Sequence, residues 1–154
     1  MKLFFKIMVV LIGFQSFSQV DGVGINTTNP QSTLDINGNV SFKVVTLNGG
    51  PGGSATQITN GFYINLVPSS GNLEFILPDA ASFPGRTYIL RNITDAFTAQ
   101  IYSFGGQFFP GDSRVATSAP INMTPDTAGD GGDVTKTLIF ISDGTNWTYG
   151  TLGF

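Results

Sequence analysis

The chain has no cysteine and no histidine. The first absence excludes disulfides, the second the commonest general base, and together they exclude thiol nucleophiles and zinc sites built on Cys or His. Charge is also scarce. Lys, Arg, Asp and Glu make up 11% of the residues, with seven basic side chains against ten acidic ones. So few cations argue against nucleic acid, whose affinity comes largely from neutralising phosphates, and against anionic membrane surfaces. Glu74 is the only glutamate and Trp147 the only tryptophan. Serines are plentiful, yet none lies in a Gly-x-Ser-x-Gly nucleophile elbow. No stretch beyond residue 18 carries a helical hydrophobic period.

What is present begins with an export pattern. Lys2 and Lys6 give a charged start, 7–14 a short apolar run, and Ser16 with Ser18 a small-x-small cleavage pattern that leaves Gln19 as the first mature residue. The apolar run is too short to span a bilayer and no second run follows it, so the expected location is secreted or cell-surface. Removing Lys2 and Lys6 leaves five basic residues against the ten acidic ones. High Gly, Thr, Asn and Phe with little charge is an all-β composition.

Residues 19–47 read as an assembly segment. Val23 and Ile25 alternate with Gly24 and Asn26, and Leu34 and Ile36 alternate with Asp35 and Asn37, so two short strands are predicted. Between them Asn29 caps a helical turn begun by Pro30. Two strands this short leave Val23, Ile25, Leu34 and Ile36 without a partner inside the segment. The pattern Gly-x-Gly-Thr-x-x-Pro-x-x-x-Leu-Asp-x-x-Gly, with Asn26 in place of its second glycine, resembles a segment of trimeric phage tail fibres and of fibre-like surface proteins of Gram-negative bacteria, notably Bacteroidetes. The resemblance covers Val23 to Val40. It implies a homotrimer in which three copies of the segment wrap a common axis. An ordinary pair of strands in a monomer is the alternative. Asparagine tolerates left-handed backbone angles, which suits it to a glycine's place.

Residues 48–54, Asn-Gly-Gly-Pro-Gly-Gly-Ser, read as a flexible linker, and 55–154 as a small β-sandwich or β-roll. Within the module, 62–67 and 73–77 alternate on either side of a five-residue turn and predict a hairpin. Strands are expected at 86–93, 98–104 and 121–123, with a closing hairpin of 135–142 and 145–151 around Asp143-Gly144. Leu77-Pro78-Asp79-Ala80, Gly85-Arg86-Thr87-Tyr88 and Ser142-Asp143-Gly144-Thr145-Asn146-Trp147 are similar to a small β module of tail-fibre-like and bacterial surface proteins. No enzymatic role follows from that similarity.

Candidate sites are few. Asp126, Asp130 and Asp133 in a glycine-rich loop have the oxygen chemistry of a calcium site, although their spacing is not that of an EF-hand; a solvated turn is the alternative. Asp126-Thr127-Ala128 also resembles the short acceptor for O-glycosylation in Bacteroidetes. Tyr102, Phe104, Phe108, Phe109 and Trp147 are candidates for stacking on sugars, or else core residues. By the module resemblance Trp147 closes the module. Glu74 and Asp79 are the only pair suggested for glycoside hydrolysis. Arg86 and Arg91 are placed to pair with Asp79 or Asp95. These features together predict a secreted, non-enzymatic fibre-like homotrimer whose β head binds surface glycans. A monomeric lectin-like sandwich and a polysaccharide-active enzyme remain as alternatives.

Overall fold

The computed structural model describes residues 22–126 and 134–152. The predicted export segment with its expected Ser18–Gln19 cleavage point, and the candidate ligands Asp130 and Asp133, lie outside them. The chain divides into two compact units, 1–41 and 42–154.

In the first unit, β1 (Val23–Ile25) and β2 (Leu34–Ile36) pair in parallel, with Ile25 opposite Ile36. A parallel pair ordinarily needs a connection of a dozen or more residues. The shorter loop here is held by polar contacts. The Gln31 amide donates to Asp35 Oδ2 at 2.9 Å, Ser32 Oγ to the Leu34 carbonyl at 2.6 Å, and Asn26 Nδ2 to the Asn37 carbonyl at 3.0 Å. The predicted helical turn at Pro30 is absent. Asn26 has φ 58, the left-handed conformation that glycine adopts most readily. A side chain at Gly24 would run into the Thr27 carbonyl, so the close turn also excludes a Cβ there.

The second unit is all-β, as predicted, and consists of two sheets around one core. Its strands are β3 (Val44–Asn48), β4 (Gly50–Pro51), β5 (Thr56–Gln57), β6 (Tyr63–Val67), β7 (Asn72–Asp79), β8 (Thr87–Asn92), β9 (Ala99–Gly105), β10 (Phe108–Pro110), β11 (Ile121–Met123), β12 (Thr137–Ser142) and β13 (Trp147–Thr151). The six-stranded sheet has the order β10-β13-β12-β8-β6-β3. The second sheet has the order β11-β9-β7-β4, with β5 also paired to β7. From β6 to β11 successive strands alternate between the sheets. In consequence β6 and β8 run parallel, as do β7 and β9, each crossover being one strand of the opposite sheet; β3 also runs parallel to β6, with β4 and β5 between them in the second sheet.

Two sequence expectations are corrected by this winding. The 62–67 and 73–77 runs are not a hairpin, since β6 and β7 belong to different sheets. A five-residue turn carries the chain across the sandwich as readily as it folds it back. Residues 48–54 are not a linker either. β3 pairs with β6, β4 pairs with β7, and the boundary between units falls at 41/42. Two of the glycines there answer close backbone approach, since a Cβ on Gly49 would collide with the Asn72 carbonyl and one on Gly50 with the Ser54 carbonyl, while Gly53 has φ 78. The closing hairpin, by contrast, forms as expected, with β12 antiparallel to β13.

Alternate residues of both sheets fill the core. Ile64, Leu66, Tyr88, Leu90, Phe140 and Trp147 face Phe75, Leu77, Ala99, Ile101 and Met123. Side-chain bonds also tie the sheets together. Trp147 Nε1 donates to the Pro78 carbonyl at 3.1 Å, and Ser142 Oγ to the Ala80 carbonyl at 2.7 Å. Buried Asn92 donates through Nδ2 to the Phe97 and Met123 carbonyls at 2.8 and 3.0 Å and accepts from the Thr94 amide at 3.1 Å. The Leu-Pro, Gly-Arg and Asp-Gly-Thr-x-Trp pieces therefore meet at one end of the module, where Gly85 N–H also bonds the Ser142 carbonyl at 2.9 Å.

Candidate functional site

The five candidate aromatics do not form one site. Phe108 and Trp147 are core residues, 2% and 0% exposed. Each lies on an inward-facing strand position, and the two stand opposite one another across the β10–β13 pair. Phe108 meets Phe140 edge-on at 6.0 Å between ring centroids. Phe109, next in β10, alternates to the other side of its strand. Only Tyr102 and Phe104 share a surface, because they stand two residues apart on β9 with Ile101 and Ser103 pointing away from them.

That surface is the outer face of the second sheet, and strand register assembles it in rows. Gln57, Ile76 and Tyr102 stand side by side on β5, β7 and β9. Glu74, Gln100 and Asn122 form the adjacent row on β7, β9 and β11. Phe104 continues the face and is 78% exposed. Beside it opens a cavity of about 300 Å³, walled by Gln57, Thr59, Ile76, Pro78, Asp79 and Phe104, among others.

Glu74 is the one charge in these two rows, and its position is fixed. Its Oε2 accepts from the Gly53 amide at 2.9 Å, so the glycine-rich loop serves the face as well as the fold. Burial first, and then the neighbouring Glu74 carboxylate, push Tyr102 above the ordinary tyrosine value. A phenol held neutral beside a fixed carboxylate, flanked by three side-chain amides, offers both donors and acceptors next to exposed ring faces. Such a mixture suits sugar hydroxyls and the apolar faces of pyranose rings.

The other predicted sites fare differently. Asp79 caps the turn at Ala80–Ser82, accepting from the Ala81 amide at 3.3 Å and from Ser82 Oγ at 3.0 Å. Glu74 and Asp79 are five residues apart on one extended strand, which separates their Cα atoms by about 16 Å and turns them to opposite faces. That exceeds the spacing of a glycosidase pair. Asp126 Oδ1 is buried without a hydrogen-bond partner among the described residues, where no group of three or more metal-ligating side chains converges. Arg86 pairs with neither Asp79 nor Asp95. Its guanidinium lies 4.6 Å above the Phe83 ring, and Asp95 pairs instead with Lys136.

Sequence reasoning missed Gln57, Gln100 and Asn122 as members of a face. Their alternation with core residues on β9 and β11 was readable, but which strands are neighbours was not. Among the described residues no helix is long and apolar enough to cross a membrane. No protein-family model, no curated protein and no solved structure matches this chain.

Proposed function

We propose that this is a secreted, non-enzymatic, fibre-like surface protein, in which the first unit assembles three chains and the second is a glycan-binding head. The observation that carries the assembly is the exposure of Val23, Ile25 and Leu34, which are 61, 52 and 57% accessible on a two-stranded ribbon with no core of its own. An isolated two-stranded ribbon is marginal in water, and clustered apolar side chains mark association surfaces. The left-handed Asn26 at the fibre pattern's glycine position supports the same reading. Three equal heads would turn weak sugar contacts into useful avidity. The sugar-facing surface is the Gln57–Ile76–Tyr102 and Glu74–Gln100–Asn122 pair of rows with Phe104.

A glycan array with the intact chain tests the binding. Binding to neutral glycans that falls at least tenfold in Tyr102→Ala and in Gln100→Ala is the expected result. Equal binding by wild type and both variants would remove the face from the account. A monomeric lectin-like sandwich is the second reading. It is favoured by the closed core of the second unit, which one chain completes unaided. Solution mass distinguishes the two.

A further inference from the structure

The module carries a second surface of different chemistry at the rim where β3, β6 and β8 begin. Val44, Tyr63 and Ile89 stand level on these three parallel strands, and Lys43, Phe62 and Arg86 lie just before β3, β6 and β8. Lys43, Phe62 and Arg86 each precede by two residues an inward-facing side chain, Val45, Ile64 and Tyr88. They are therefore the next inward-facing positions beyond the core, where the sandwich opens. Two cations at such positions need a reason in a chain with seven basic residues.

Both are held by backbone bonds. The Phe62 amide donates to the Lys43 carbonyl at 2.9 Å, and the Ser142 amide to the Arg86 carbonyl at 2.9 Å. The Arg86 side chain is oriented as well, stacked on Phe83 and donating through Nη1 to the Tyr88 hydroxyl at 3.4 Å. The two cations line one open cleft of about 550 Å³ together with Asn60, Phe62 and Thr87, and no acidic residue lines it. Asp143 is not among the cleft's lining residues, and its Oδ1 accepts from the Thr145 and Asn146 amides at 2.8 and 2.7 Å. Phe62 supplies an aromatic wall to the cleft and is backed by Phe42, stacked on it with ring centroids 4.2 Å apart.

We infer that this cleft binds the carboxylate of an acidic sugar. Arg86 and Lys43 hold the anion, Phe62 supports the ring, and Asn60 and Thr87 take hydroxyls. The aromatic wall and the neutral polar pair are what favour a charged saccharide over a bare anion.

The test is calorimetric titration of the full chain with a short oligogalacturonate, its methyl ester and inorganic phosphate. Expected is saturable binding of the oligogalacturonate that weakens at least tenfold in the ester, in Lys43→Gln and in Arg86→Gln, and that falls on raising salt. Lys43 is exposed, so Lys43→Gln should keep the wild-type melting temperature and report binding alone. Tyr102→Ala should leave this binding intact, which separates the cleft from the sugar-facing sheet. Equal binding of the ester, phosphate binding as tight as the saccharide, unchanged affinity in Lys43→Gln, loss of binding in Tyr102→Ala, or no saturable binding would each overturn the inference.

Discussion

The ribbon of the first unit and the sandwich of the second are written in the same alternating code, yet their apolar side chains meet opposite fates. Ile64 and Leu66 on β6 are fully buried, whereas Val23, Ile25 and Leu34 on β1 and β2 stand open to solvent. The difference lies in what each strand has to pack on. β6 has an opposing sheet made from its own chain, while among the described residues β1 and β2 pair only with each other. A period of two therefore specifies a strand and its apolar side, but not whether the partner is in the same molecule.

The largest expected effect tests the sandwich half of that contrast. Phe140→Ala or Trp147→Ala should destabilise the module by about 3–5 kcal/mol in denaturant unfolding, because each removes a fully buried ring. A loss below about 1 kcal/mol would mean that the core is not closed as described. Next comes the inter-sheet tie. Asn92→Ala strands the Phe97 and Met123 carbonyls and should cost about 1–3 kcal/mol, read in the same way. The ribbon contributes a smaller effect of another kind. Asn26→Val forces a β-branched residue to φ 58 and should weaken the proposed assembly by about 1–2 kcal/mol, while Asn26→Gly should not. Neither should move the module's melting temperature. A shift there would break the division into two units.

The smallest effect concerns the candidate face. The raised Tyr102 value means that the folded protein favours the neutral phenol. That contribution is fully present below the ordinary tyrosine value near 10 and is lost as pH rises through the raised one. Urea unfolding between pH 8 and 11 should therefore show a shallower alkaline loss in Tyr102→Phe than in wild type. Superimposable profiles would separate Tyr102 from Glu74.

The longer alternating strands, the all-β class and the closing hairpin were legible in the sequence, because alternation and an Asp-Gly turn are local signals, whereas the short strands β4, β5 and β10 were not. The winding was not. The turn between β6 and β7 has hairpin spacing, and only the opposing sheet decides which way the chain goes. Glycines at 49–53 resembled a linker because flexibility and close approach select the same residue. Phe108 stayed open between ligand platform and core, and Trp147 between ligand contact and closing the module, for want of knowing which side of each strand faced the core. The candidate face depends on register between strands distant in sequence, as in Gln57 beside Ile76 beside Tyr102, and no local pattern carries that information.

Light scattering on the full chain and on a Val23→Ser, Ile25→Ser, Leu34→Ser triple variant addresses the central claim most directly. The account predicts a mass of three chains for the wild type and of one chain for the variant, with an unchanged module melting temperature. A single-chain mass for both would contradict it and leave a monomeric binding sandwich.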